Sequence, residues 1–193
     1  MDATLEAPST PIAISDCPVS KEEVGFSVQC HDRVFKNVTV IDEDGQELFI
    51  AESRGVGSWS WRRTVKSKTS GVPLFDLLHP GVLNIKNNWT VQTPDGREIC
   101  TLNHVSFMGK ERSALDMVLR NEADNGNEIT LHIRPQDRSA ITTLVTLENT
   151  TIAEIRLMES NDVSDLTGKD RSLWKARVAG RVDTAIVSYI RDY

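Results

Sequence analysis

Long apolar runs are missing from this chain of 193 residues. No stretch approaches the roughly 20 apolar residues that a membrane-spanning helix requires, so an integral protein of that kind is excluded. Cysteine is scarce: Cys17, Cys30 and Cys100 are odd in number and show no Cys-x-x-Cys spacing. Neither a disulfide framework nor a zinc site is expected, and the thiols read as reduced, cytosolic ones. Four histidines, His31, His79, His104 and His132, lack the His-x-x-x-His and His-Glu-x-x-His spacings of metal sites. The Gly-x-Ser-x-Gly elbow, the phosphate-binding loop and the dinucleotide fingerprint are absent too. A basic excess is also lacking. The net charge is −6, against general nucleic-acid binding, which needs a basic face. The opening stretch MDATLEAPSTPIAISDCP carries acids and no base, so a secretory signal is not expected. The sequons at Asn37, Asn88 and Asn149 then read as coincidence.

What is present is a chain of 39% hydrophobic and 26% charged residues, a globular composition at a length that suits one domain. Residues 1–20, with Pro8, Pro11 and Pro18 among small polar residues, read as a flexible tail, and residues 21–193 as the domain. Within the domain a unit recurs: DGQELFI at 44–50, SGVPLFDL at 70–77, DGREICTL at 95–102 and NGNEITLHI at 125–133. Each sets a polar turn residue before a glycine and a β-prone run after it. The glycine supplies the positive φ of a hairpin turn, and the run is the return strand. LENTTIAEIRL at 147–157 is a fifth unit with its turn at Asn149 and Thr150. Alternation gives the strand faces. Ile129, Leu131 and Ile133 point one way, as do Trp174, Ala176 and Val178, with Lys175 and Arg177 opposite. Successive hairpins of this kind must stack into a sandwich or close into a barrel to remove their edges.

Only the last residues switch period. Val182, Ala185, Ile186, Tyr189 and Ile190 recur at helical spacing, which predicts a helix over about 182–192 with Asp183 as its cap. Such a short helix must dock, either through a barrel or against the outside of a sandwich.

No arrangement for catalysis or metal binding emerges. Cys30 and His31 are adjacent in a strand and therefore point to opposite faces. The acidic turn DEDG at 42–45 lacks the later ligands of a calcium loop. Ser20, Lys21 and Glu22 read as a solvated strand edge. The chain is expected to be non-enzymatic and without a cofactor. One local charge bias remains: between Arg54 and Phe75 lie five bases and no acid. In WSWRRTVKSK, alternation puts Arg62, Lys66 and Lys68 on the face shared by Ser60 and Thr64, with Trp59 and Trp61 opposite. Arg62, Arg63, Lys66 and Lys68 are the candidate ligands for a phosphorylated headgroup, each charge contributing about 1 kcal/mol near an anionic membrane. The alternative is an ordinary solvated strand.

A resemblance sharpens the fold. GSWSWRRTVKSKTSGVPLFDLLHP with NNWTVQTPDG, then LRNEADNGNEITLHIRPQD, TIAEIRL and WKARVAGRVDTAIVSYI, resemble in order the segments of LURP-one-related proteins in the tubby C-terminal-like superfamily, nearest to its fungal branch. The resemblance spans about residues 24–193. It implies a closed antiparallel barrel of about twelve strands around a central C-terminal α-helix. The superfamily includes tubby, which binds phosphoinositide headgroups, but a fold does not fix a function. Two readings follow: a peripheral binder of anionic phospholipid or phosphoinositide headgroups through the basic strand, or a cytosolic protein-interaction scaffold with a stress- or defence-linked role. The expected location is cytoplasmic, with peripheral attachment to membranes under the first reading.

Overall fold

The structure is a computed structural model that describes residues 2–14, 19–31, 37–53, 61–79, 88–105, 114–136, 141–159 and 172–186. Strands form where the sequence alternates: β1 Val24–Cys30, β2 Asn37–Asp42, β3 Glu47–Ser53, β4 Trp61–Ser67, β5 Pro73–His79 and β6 Asn88–Gln92 make the first half. β7 Glu98–His104, β8 Leu115–Asn121, β9 Asn127–Pro135, β10 Thr142–Leu147, β11 Thr150–Glu159 and β12 Ser172–Val178 make the second. Each strand pairs with the next in sequence, and β1 pairs antiparallel with β12, so the sheet closes into a twelve-stranded barrel. Closure removes both edges and decides between barrel and sandwich.

The two ends differ. At one end lie the short hairpin turns 43–46, 68–72, 93–97, 122–126 and 148–149. Gly45, Gly71, Gly96 and Gly126 sit there at φ of 83°, 69°, 93° and 75°, the left-handed region that costs a Cβ-bearing residue. The glycine-marked units of the sequence are therefore the hairpins. At the opposite end β5 stops at His79 and β6 starts at Asn88.

Inward positions are apolar. Leu77, Leu102, Met117, Leu131 and Val145 are at 0% exposure, as are Ala176 and Val178. Ile133 on β9 is equally enclosed, at 1%. The lumen wall is therefore packed, each large side chain contributing roughly 1.5–3 kcal/mol relative to exposure.

Residues 2–14, read from the sequence as part of a tail, lie against the barrel. Ile12, Ala13 and Ile14 are buried in the same core as the strands. Ile12 forms a parallel bridge with Val182, accepting at its carbonyl from Asp183 N (2.8 Å) and donating to Arg181 O (2.9 Å). Asn121 holds the neighbouring turn: its Oδ1 accepts from Ala13 N at 2.9 Å and its Nδ2 donates to Pro11 O at 2.8 Å. The physical reason is that the hairpin end of a wide barrel exposes apolar wall, and the Ile-Ala-Ile stretch covers it. A little further on, Gly180 runs so close to residues 21–22 that an added Cβ would lie 2.3 Å from Lys21 O.

The expected central helix is not supported by the described residues. Val182, Asp183, Ala185 and Ile186 are buried, and Ala185 and Ile186 begin a helical turn. Asp183 Oδ1 accepts from Ala185 N at 2.9 Å, the capping contact anticipated for it. Residues 187–193, with Val187, Tyr189 and Ile190, lie outside the described residues. Among the described residues the only named helical element is a 3-10 turn at Glu122–Asp124, so an α-helix through the barrel is not part of the described structure.

Candidate functional site

The basic strand is β4. Alternation holds along it: Arg63 and Val65 are buried, while Arg62, Thr64 and Lys66 take the outer face. Each outward cation meets a carboxylate of a flanking strand. Arg62 Nη2 donates to Asp76 Oδ2 on β5, and Asp76 Oδ1 accepts from Thr64 Oγ1 at 2.6 Å. Lys66 Nζ lies 2.6 Å from Glu52 Oε2 on β3, and Lys68, in the turn after β4, lies 2.8 Å from Glu47 Oε2. The hydrogen bond that Arg62 donates to Asp76 raises the Arg62 pKa above its ordinary value and fixes its charge. Three cations and three acids thus form a neutral band. In sequence these acids flank the basic run at a distance; pairing of β3 and β5 on either side of β4 brings them in.

Arg63 does not share this face. It is 7% exposed on the lumen side, with its guanidinium carbon 5.5 Å from the Trp89 ring centroid, a cation–π contact. His79 also stacks on Trp89, at 4.9 Å between centroids and a tilt of 53°. The four residues proposed together as ligands are therefore split three and one. Trp59 lies outside the described residues, as does the side chain of Trp61.

The other sequence candidates are structural. Cys30 is buried at 1% and closes β1, whereas His31 is exposed with its Nε2 2.8 Å from Thr39 Oγ1. In the DEDG turn, Asp42 Oδ1 accepts from Asp44 N (3.0 Å) and Gln46 N (2.8 Å), tying its own hairpin. Burial drives the Cys100 thiol pKa far above its usual range, so it stays an inert, protonated core group. No group of three or more His, Cys, Asp or Glu side chains suited to a metal occurs among the described residues.

Two outer-wall networks were not among the sites expected from the sequence. On β8 and β9, Asp116 Oδ1 meets His132 Nδ1 at 2.8 Å and Arg134 Nη2 at 2.6 Å. Burial pushes the Asp116 carboxyl upward, but these two hydrogen bonds and the Arg134 charge outweigh it and hold the pKa below the usual carboxylate range. On β11 and β12, the Glu154 carboxylate is buried at 3% and lies between Arg156 Nη2 (2.7 Å) and Arg177 Nη1 (3.0 Å).

The sequence matches the family model of LURP-one-related proteins over residues 24–190. This chain belongs to the LURP-one-related family. A comparison with curated protein sequences finds no match. Among solved structures, the X-ray structure of a protein from Arabidopsis thaliana is similar at a TM-score of 0.56, with 15% identity and 89% of each chain covered. At that identity the likeness shows the fold alone.

The family match begins at the first residue of β1. The covering segment 2–14 precedes the matched region, as does Glu23, which pairs with Arg177 Nε at 2.7 Å. The alternation of TIAEIRL does place Glu154 and Arg156 on one face. That Arg177 of β12 joins them follows from the register, in which Glu154 stands opposite Arg177.

Proposed function

We propose that this LURP-one-related chain is a non-catalytic barrel that works by binding protein partners. The neutral band on β4 carries this reading. A phosphorylated headgroup would have to displace Asp76, Glu52 or Glu47 from its cation, giving up a charge-assisted hydrogen bond each time. The net charge of −6 adds repulsion from an anionic bilayer. Surface pairs are individually weak, so headgroup binding through Arg62, Lys66 and Lys68 is the competing reading, and a vesicle assay separates the two. With vesicles of neutral lipid and vesicles containing phosphatidylserine or phosphoinositide, we expect no co-sedimentation that depends on anionic lipid. Binding that weakens with salt and is lost on changing Arg62, Lys66 and Lys68 to Glu would replace the protein-binding reading with the lipid one.

Two finer assignments belong to the same proposal. The residues from Val182 onward supply the helix that fills the lumen, supported by the enclosed Val182 and Ile186 at 0% exposure. The second is kinship with the fungal members, a reading that the segments quoted from the sequence support.

A further inference from the structure

We infer that the outer wall of β11 and β12 is a docking groove for an extended acidic peptide, occupied in cis by the chain's own N-terminal segment. This rests on the protein-binding reading and names where a partner would sit. Three features of the cis occupant carry it. First, a residue is read through its main chain. Ala3 N donates to Glu154 Oε2 at 3.0 Å, and Ala3 O accepts from Arg177 Nη1 at 3.2 Å. Neither contact uses the Ala3 side chain, so the pair recognises peptide backbone rather than a fixed residue. Second, the residue before it is selected for charge, the Asp2 carboxylate lying 2.7 Å from Arg156 Nη1. Third, the backbone continues in extended contact along the barrel. Glu6 N donates to Thr151 O at 2.9 Å, beyond the point where β12 stops pairing with β11. Leu5 packs on the core, and Pro8 is buried.

The wall holds its own carboxylate in place. The Glu154 side chain is only 4% exposed and is fixed by two guanidinium groups, so its free oxygen lone pairs point at a set place. Arg156, Lys175 and Arg177 outnumber Glu154 on the wall, and Asp2 of the N-terminal segment with Glu23, directly before β1, completes the balance. A cavity of about 170 Å³ adjoins Asp2, lined by Glu154, Arg156, Met158, Lys175 and Arg177. Met158 there is 54% exposed, an apolar contact on a cationic rim. A partner peptide with an acid, a small residue and, two positions further on, an apolar residue would find the same contacts and additional room beside Lys175.

The test uses the full chain and a synthetic acetylated peptide, DATLEAPST, labelled at its C-terminus and followed by fluorescence anisotropy. In the wild-type protein the tethered segment competes at an effective concentration in the millimolar range, so the free peptide binds weakly. Changing Asp2 to Lys and Ala3 to Pro removes the carboxylate and the donating N–H of the cis occupant. The peptide should then bind roughly tenfold tighter or better than to wild type, because the groove is open a larger fraction of the time. A peptide with its own Asp changed to Lys and first Ala to Pro should not bind the opened protein. Should the double variant melt well below wild type, Asp2→Lys alone carries the same titration. Equal affinity for wild type and variant, equal affinity for both peptides, or no binding to the opened protein would each overturn the groove. Such a failure leaves the protein-binding reading standing, since the vesicle assay tests that separately.

Discussion

Replacing Asn121 by Ala tests how firmly the N-terminal segment is built into the barrel. Asn121 is 2% exposed at the end of β8, and one side chain serves three backbone groups. Its Oδ1 accepts from Ala13 N (2.9 Å) and Ala123 N (3.2 Å), while its Nδ2 donates to Pro11 O (2.8 Å). Ala123 is exposed and water replaces its bond. Ala13 is buried at 9%, and its N–H would be left without an acceptor. With about 1 kcal/mol for each lost bond and ~1–3 kcal/mol for a stranded buried donor, Asn121→Ala should cost roughly 2–4 kcal/mol. That is a large part of the ~5–15 kcal/mol typical of a domain. At about 2–4 °C per kcal/mol for a chain of this size, the melting temperature should fall by roughly 5–15 °C. Urea unfolding should show a lower midpoint at unchanged slope, since the surface exposed on unfolding is the same. Hydrogen exchange should quicken first at the Ala13 amide. A variant within about 0.5 kcal/mol of wild type, with Ala13 still protected, would refute the view that this segment is an integral cover.

Gly180→Ala should destabilise by ~1–3 kcal/mol in urea unfolding, because the new Cβ meets Lys21 O, a backbone atom that cannot turn aside. Ile186→Asp sets a carboxylate in a fully enclosed position at 0% exposure and should cost several kcal/mol, with the deficit shrinking as pH falls and the acid takes up a proton. Asp116→Asn should reduce stability at neutral pH. The wild-type carboxyl has a depressed folded pKa, so its contribution is full above the unfolded value of about 3.9 and is lost as pH falls through the lower folded value. Melts of the two proteins should therefore converge in strong acid, and a gap that persists there would show that the ion pairs are not its source.

The sequence by itself determined the local events. A two-residue period sets which side chains face the lumen, so the faces of EITLHIR and LWKARV, and the separation of Arg63 from Arg62, follow from alternation alone. Polar-glycine pairs mark the turns because only glycine takes their positive φ cheaply, and all four anticipated glycines occupy that region. Cross-strand partners are another matter. Arg62 reaches Asp76 as a diagonal neighbour, although Thr64 stands directly opposite that carboxylate, and Lys66 reaches Glu52 although Ile50 stands opposite Lys66. From composition the run between Arg54 and Phe75 is basic; in the barrel Arg62, Lys66 and Lys68 each face a carboxylate. Likewise Ile12, Ala13 and Ile14 fall in a stretch that reads as a tail, yet the closed barrel gives them a core to join. Local period is a property of the chain, whereas charge balance and burial are properties of neighbours, and those neighbours exist only once the twelve strands have closed.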